Sequence, residues 1–258
     1  MGSWRGAHGH GDGDIGVTFL VDDPFHKDHY VLQISMRIVS LNTNRSAKRI
    51  FEHIRGLDPD IILLQEWADH RKDRSEAAED SFPGQIVSAT RYLATIARGG
   101  FETIHSEDRV LITRHEDTIV VNTYVPASGP GRARREHLEH LGDILSTSEL
   151  NPDIIAGDFN LAPRLEDGWH GNNYSKYTTA GERSALAEIL ESYGLTDMGS
   201  KMQWEATFER MNRGKMTSFR CDLALVGGEN WELTYEHKFR NEKGLSDHSA
   251  LILDMGGD

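Results

Sequence analysis

Cysteine is nearly absent from this chain of 258 residues: Cys221 stands alone. A single thiol excludes an internal disulfide and a cysteine-rich zinc centre, and it suits a reducing, cytoplasmic setting. Long apolar runs are missing as well. The longest, such as residues 61–64, are strand-sized and far short of the ~18 residues that cross a bilayer, so no membrane span is expected. No basic stretch followed by an apolar one opens the chain, which argues against a secretory signal. No proline- or serine-rich tract, repeat or low-complexity segment divides it. Positive charge is short too: Lys and Arg number 28 against 41 Asp and Glu, a net −13. Such a chain is repelled by nucleic acid unless basic groups cluster or bound cations neutralise the contact. What is present is a globular composition, 38% hydrophobic and 27% charged, in a chain long enough to bury a full core.

Residues 1–35 begin with a glycine- and histidine-bearing stretch that includes His8 and His10. They read as an N-terminal extension, partly disordered. Met36 opens a β-rich run, so the domain is expected to occupy 36–258. Strands and helices then alternate. A strand is predicted over 37–42, and a helix capped by Ser46 with Ile50, Ile54 and Leu57 on one side, ended by Gly56 and Pro59. Residues 60–65 form a short apolar strand buried on both faces. Residues 68–80 read as a surface loop or helix. Strands follow over 109–113 and 118–123, a helix over 132–145, a buried strand over 153–156, and a helix over 182–193 ended by Gly194. Late strands are expected over 219–226 and 249–253. One compact α/β domain of several layers accounts for this order.

Four polar clusters sit at the ends of apolar strands, where layered sheets carry their reactive groups. They are Asn42-Thr43-Asn44, Gln65-Glu66, Gly157-Asp158-Phe159-Asn160 and Ser246-Asp247-His248. Residues two apart on a strand share a side, so Asn42 with Asn44, and Asp158 with Asn160, are expected to face one site. Each cluster alone reads as turn chemistry or an exposed loop; four in order, each beside a buried strand, do not. Carboxylate and amide oxygens suit a hard cation such as Mg²⁺, and the set offers too few histidines and cysteines for zinc. Whether Asp158 or His248 is the general base stays open at this point.

The ordered set resembles the endonuclease/exonuclease/phosphatase superfamily, over nearly all of residues 37–254. Within it, Tyr124 in Asn122-Thr123-Tyr124-Val125-Pro126, and Phe219-Arg220-Cys221-Asp222-Leu223, look like the exonuclease III and abasic-site endonuclease branch. The resemblance implies a four-layer sandwich, two facing mixed β-sheets flanked by helices, and metal-dependent hydrolysis of a phosphodiester. It implies Mg²⁺ or Mn²⁺ on Glu66, Asn44 and Asp247. Asp158 and Asn160 would position and deprotonate the attacking water, and Asn42 would hold that group or a phosphate oxygen. His248, steadied by Asp222, would stabilise the phosphate charge, and Tyr124 would contact the phosphate or leaving group. Two departures stand out: Asn44 where that branch usually carries Asp, and Phe219 where it carries Trp.

The implied partner is DNA or another phosphodiester, bound by a chain expected to be a monomer. Arg210, Arg213, Lys215 and Arg220, interleaved with Phe208 and Phe219, form the best basic cluster and suit a nucleic-acid surface or a base-free sugar pocket; a charged hairpin fits equally well. Arg220, Phe219 and Phe208 are the expected substrate contacts. Arg132, Arg134 and Arg135 read equally as phosphate contacts or a solvated helix start. Met202, Met211 and Met216 read as gap-fillers, and Trp67 as a residue packed beside the site entrance, with stacking on a substrate as the alternative. A phosphodiesterase or phosphatase of a small molecule or lipid head group is the rival activity, favoured by the negative charge. A non-catalytic scaffold on the same fold is opposed by intact Glu66, Asp158, Asn160, Asp247 and His248.

Overall fold

The computed structural model describes residues 36–45, 48–67, 72–127, 131–243 and 245–256. The expected extension over 1–35 and the expected cap Ser46 lie outside the described residues. The elements run β1 (Arg37–Asn42), α1 (Lys48–Gly56), β2 (Ile61–Gln65), α2 (Lys72–Ser81), β3 (Ile86–Ala89), β4 (Leu93–Ala97), β5 (Glu102–Glu107), β6 (Val110–His115), β7 (Thr118–Tyr124), α3 (Gly131–Thr147) and β8 (Ile154–Asp158). They continue with β9 (Gly168–His170), β10 (Asn173–Tyr174), α4 (Ala180–Tyr193), β11 (Thr196–Asp197), β12 (Phe208–Asn212), β13 (Lys215–Phe219), β14 (Asp222–Val226), β15 (Trp231–Glu236), α5 (Lys238–Asn241) and β16 (Ala250–Met255).

Two six-stranded sheets form, in the orders β15-β16-β1-β2-β4-β3 and β11-β14-β8-β7-β6-β5. Both are mixed: β1 with β2, and β7 with β8, pair in parallel, and the other neighbours are antiparallel. Strand alternation explains the layers. In β2, Ile61 and Leu63 face the other sheet, while Ile62 and Leu64 face α1 and α2. In β8, Ile154 and Ala156 face inward, and Ile155 packs beneath α3 and α4. These strands are apolar at every position because both their faces are covered. The result is the expected four-layer sandwich, helices outside and two sheets within.

The helices follow their periodicity. In α3, Leu138, Leu141 and Leu145 lie in the core beneath α4. Thr179 caps α4 and exchanges hydrogen bonds with Glu182, a capping box, and Gly194 ends the helix in the left-handed conformation. The polar segment after Trp67 contains α2, anchored by buried Ala77 and Ala78.

Three expectations change. The single strand over 219–226 is two: β13 joins a small four-stranded sheet with β12, β9 and β10, and β14 joins the large one. The break falls at Arg220, whose side chain turns into a buried ion cluster. Met211 and Met216 are exposed and do not fill gaps. Trp67 is fully buried against Phe51 and cannot stack on a substrate.

Candidate active site

The layer between the sheets is apolar in its middle and turns polar at one end. Stepping by two along the inward faces, β1 runs Ile38-Ser40-Asn42, β2 Ile61-Leu63-Gln65, β7 Val120-Asn122-Tyr124, and β8 Ile154-Ala156-Asp158. β14 runs the other way and brings Asp222 to the same end, opposite Asp158 in the register. The Gln65 amide donates to Asn122 Oδ1 at 2.9 Å and to Ser40 Oγ at 3.1 Å, tying the two sheets together under the site. Asn122 in turn donates to the carbonyls of Ala94 and Leu64. Every such group is buried, so each needs a partner to offset its desolvation.

Asp158 lies at the centre. Asn42 Nδ2 donates to its Oδ2 at 2.8 Å, and Asn160 donates to it twice, from the backbone N–H (2.9 Å) and from Nδ2 (3.0 Å). Asn160 reaches it from a turn and not from the strand: its φ is 49°, an asparagine-tolerated left-handed conformation. Asn44 is placed likewise, at φ 43°, its N–H donating to Asn42 Oδ1 at 2.9 Å. The two motifs converge through side-chain-closed turns, which replaces the strand alternation expected from their spacing.

His248 faces this group. Its Nδ1 lies 2.9 and 3.1 Å from the Asp222 carboxylate oxygens, and its Nε2 lies 4.0 Å from Asp158 Oδ2 and 3.9 Å from Asp247 Oδ1. Burial opposes the imidazolium, but Asp222 and Asp158 outweigh it and raise the His248 pKa to about 10. Burial pushes Asp158 up to about 7; repulsion from Asp222 adds to this, and attraction to His248 opposes it. The Asp158–His248 pair is therefore poised with a proton acceptor and a cationic donor side by side.

Glu66 follows β2 with φ 54°. Tyr124 Oη donates to its Oε1 at 2.9 Å, and Arg45 Nε lies 3.6 Å from its Oε2. Burial, then the charges of Glu66 and Asp158, hold the Tyr124 hydroxyl well above the ordinary tyrosine range. The Arg109 guanidinium lies over the rings of Tyr92 and Tyr124, 4.3 and 4.6 Å from their centroids. Among the described residues, the carboxylates of Asp158, Asp222, Asp247 and Glu66 gather here, and oxygen donors of this kind suit a hard divalent ion. Glu66 keeps 22% of its side chain exposed, open to an ion from solvent.

Beside His248 opens a cavity of about 660 Å³. Phe208, Phe219 and Cys221 line it, with Asn160 and His248 at its reactive end and Arg210 and Arg213 among its outer residues. The Phe208 ring stands 5.0 Å from the His248 ring. β12 and β13 form the expected charged hairpin. Arg213 and Gly214 take φ 49° and 78° at its tip, the two-residue turn that matches strand twist.

Arg220 is a correction. It is buried and pairs with Asp167 and Asp197, its Nη2 at 2.8 and 2.7 Å, so it touches no substrate and takes no part in the basic surface. Arg134 is likewise buried, paired with Glu182, while Arg132 and Arg135 make exposed helical pairs with Glu136 and Glu139. Sequence reasoning did not single out Gln65–Asn122 as a bridge, nor Arg109 or Cys221 as site neighbours. The signal for the first was available: polar residues replacing apolar ones at every second position of adjoining strands.

A family model described as the Endonuclease/Exonuclease/phosphatase family matches residues 39–248. The chain is 24% identical over 242 residues to a DNA-(apurinic or apyrimidinic site) endonuclease of Dictyostelium discoideum, covering 83% of this chain and 64% of that protein. It is 24% identical over 235 residues to Recombination repair protein 1 of Drosophila melanogaster, covering 76% of this chain and 33% of that protein. The chain thus spans less than two thirds of either relative. Among solved structures it is similar to an AP endonuclease from Archaeoglobus fulgidus, with a TM-score of 0.69 and 22% identity over 84% of this chain and 98% of the other. It is also similar to a 3′ phosphatase from Neisseria bound to a product DNA hairpin, with a TM-score of 0.68 and 19% identity over 86% of this chain and all of the other. At these identities the likeness shows a shared fold.

Proposed function

The chain belongs to the endonuclease/exonuclease/phosphatase family, and on that premise we propose that it hydrolyses DNA phosphodiesters, as an abasic-site endonuclease or a 3′ exonuclease. The observation that carries the reading is the facing of Asp158 and His248, 4.0 Å apart, with His248 lining the aromatic cavity. Asp158, held by Asn42 and Asn160, orients a water and accepts its proton. His248, fixed through Nδ1 by Asp222, donates from Nε2 to a phosphate oxygen as charge develops. Asn160 keeps the water on Asp158, and the Tyr124 hydroxyl contacts the phosphate or leaving group. Glu66, with Asn44 and Asp247, would hold Mg²⁺ or Mn²⁺, which when bound supplies positive charge at the phosphate.

Phe208 and Phe219 offer an apolar wall to the sugar next to the scissile phosphate. Arg210, Arg213 and Lys215 on the hairpin, with Arg45 and Arg91 on the Glu66 side, are exposed cations for the backbone. They answer the objection raised by the net charge, since attraction needs local and not overall positive charge. All site residues come from one chain, so a monomer suffices.

The test is cleavage of duplex DNA with and without an abasic site, beside a simple aryl phosphodiester, in Mg²⁺ and in excess chelator. Metal-dependent cleavage of DNA is expected, abolished by chelator and by Glu66→Ala. Turnover of the aryl diester alone would favour the rival reading, a small-molecule phosphodiesterase, for which the charge of −13 is the supporting observation.

A further inference from the structure

The lone thiol sits where a second kind of metal ion could be held. Cys221 Sγ, an Asp158 carboxylate oxygen and a His248 ring nitrogen all lie within 4.8 Å of one another, and all three residues are buried. The geometry points to a Cys221–His248–Asp158 site for a thiophilic ion of the zinc class, distinct from the oxygen-ligated site at Glu66, whose filling shuts the enzyme down.

The donor set is the first argument. One thiolate, one imidazole and one carboxylate leave a fourth position for water, the open tetrahedral arrangement zinc adopts with three protein ligands. Magnesium gains little from sulfur, so the two sites sort ions by softness. Geometry is the second. Ligand bonds of about 2.0–2.3 Å need Asp158 Oδ2 and His248 Nε2 to approach by about half an ångström from their present 4.0 Å. His248 is already turned for this: Asp222 holds Nδ1 and leaves Nε2 aimed at Asp158, the carboxylate–histidine–metal arrangement that fixes a ligating ring. Cys221 lines the same cavity as His248, so an ion has a way in.

Charge balance is the third argument. Binding breaks the Cys221 S–H bond and the His248 Nε2–H bond, forms metal–sulfur and metal–nitrogen bonds, and releases two protons to solvent. A dication replaces two protons, so the buried cluster keeps its net charge and Asp222 keeps its partner. Inhibition follows, because the ion occupies the donor atom of His248 and the acceptor oxygen of Asp158 together. That step rests on the roles proposed above; the binding step does not.

Because Cys221 is the only cysteine, a thiolate-to-metal absorption band can come from nowhere else, whatever the histidines bind. The experiment titrates the full-length reduced protein with Co²⁺ and then Zn²⁺. A thiolate-to-cobalt band saturating at one equivalent and bleached by zinc is expected, absent in Cys221→Ser. In Asp222→Asn the same band should need roughly 10- to 100-fold more cobalt. In parallel, zinc should protect Cys221 of the unmodified protein from alkylation, a measurement that needs no variant to fold. At fixed Mg²⁺, Cys221→Ser should need at least about tenfold more zinc to halve its own zinc-free rate.

No sulfur–cobalt band in the folded protein, or no zinc protection of the thiol, overturns the site. A band together with undiminished DNA cleavage at zinc concentrations that bleach it overturns the inhibition. Absence of DNA cleavage before any zinc is added would count against the proposed function, and the cobalt spectrum would still decide the binding site.

Discussion

At the scale of single residues, the site is a chain of dependencies. Asp222 is buried and touches Nδ1 of His248, so its proposed part in turnover is to hold that ring. His248→Ala should lower turnover about a hundred- to thousandfold, the cost of removing one well-placed donor. Asp222→Asn should produce a milder form of the same defect. The double variant should then be little worse than His248→Ala alone; rates that fall as the product of the two losses would give Asp222 a separate role. The pH profile follows from the same pair. The working form is Asp158 ionised and His248 protonated. The rate should therefore rise as pH passes upward through about 7, where Asp158 loses its proton. It should fall toward about 10, where His248 loses its own. The two limbs belong to the coupled pair. A cation held at Glu66 favours the Asp158 carboxylate, so steady-state rates at rising Mg²⁺ should show the acid limb moving to lower pH. A limb that stays fixed from low to saturating Mg²⁺ would argue against an ion near Asp158.

At the scale of elements, Gly157 and Arg220 set where the reactive residues stand. A Cβ at Gly157 would sit 2.0 Å from the Thr123 carbonyl oxygen on neighbouring β7, a backbone atom that cannot give way. Gly157→Ala should cost about 1–3 kcal/mol in denaturant unfolding. It should also lower turnover, about a hundredfold for a 1 Å misplacement of Asp158. Arg220 anchors the chain where it passes from β13 to β14, two residues before Asp222. Arg220→Ala takes the arginine from Asp197 and leaves Asp167 with Arg164 alone, and should cost about 3–5 kcal/mol by the same unfolding assay; Arg220→Lys should recover only part, lacking the planar fork. These two positions show what the sequence could and could not say. The buried strands β1, β2 and β8 were legible because apolar runs ended in polar clusters, and α1, α3 and α4 because of their apolar spacing and, for α4, its closing Gly194. Strand β5 was not, since it is an exposed edge with little apolar signal. The break at Arg220 was hidden because a buried arginine inside an apolar run looks like a surface cation until its two carboxylate partners, 53 and 23 residues away, are seen. The convergence of Asp158 with Asn160 was legible as an outcome, but its cause is a left-handed turn that strand periodicity cannot express.

At the scale of the whole molecule, the proposed function asks a chain of net charge −13 to grip a polyanion. Its far field repels DNA, so attraction must come from contacts within about one Debye length. Among the described residues, Arg45 and Arg91 stand exposed on one flank of the site, and Arg210, Arg213 and Lys215 on the other. Arg109 is engaged with two tyrosine rings, and Arg220 and Arg134 are buried in ion pairs. Each phosphate neutralised on duplex DNA contributes a slope of about −0.9 to the logarithm of affinity against the logarithm of salt. Contacts from these five residues give a slope of about −4.5. Binding measured by fluorescence anisotropy with Asp158→Asn, which holds DNA without turning it over, should therefore weaken gently with salt. Arg213→Ala, at the tip of the hairpin, should flatten the slope by roughly one and weaken binding to all sequences alike. A slope nearer −10, the range of strongly basic binders, would mean that DNA lies across a surface these five residues do not define. An Arg213→Ala slope equal to the parent's would remove the hairpin from the contact and leave it only the role of closing the cavity beside His248.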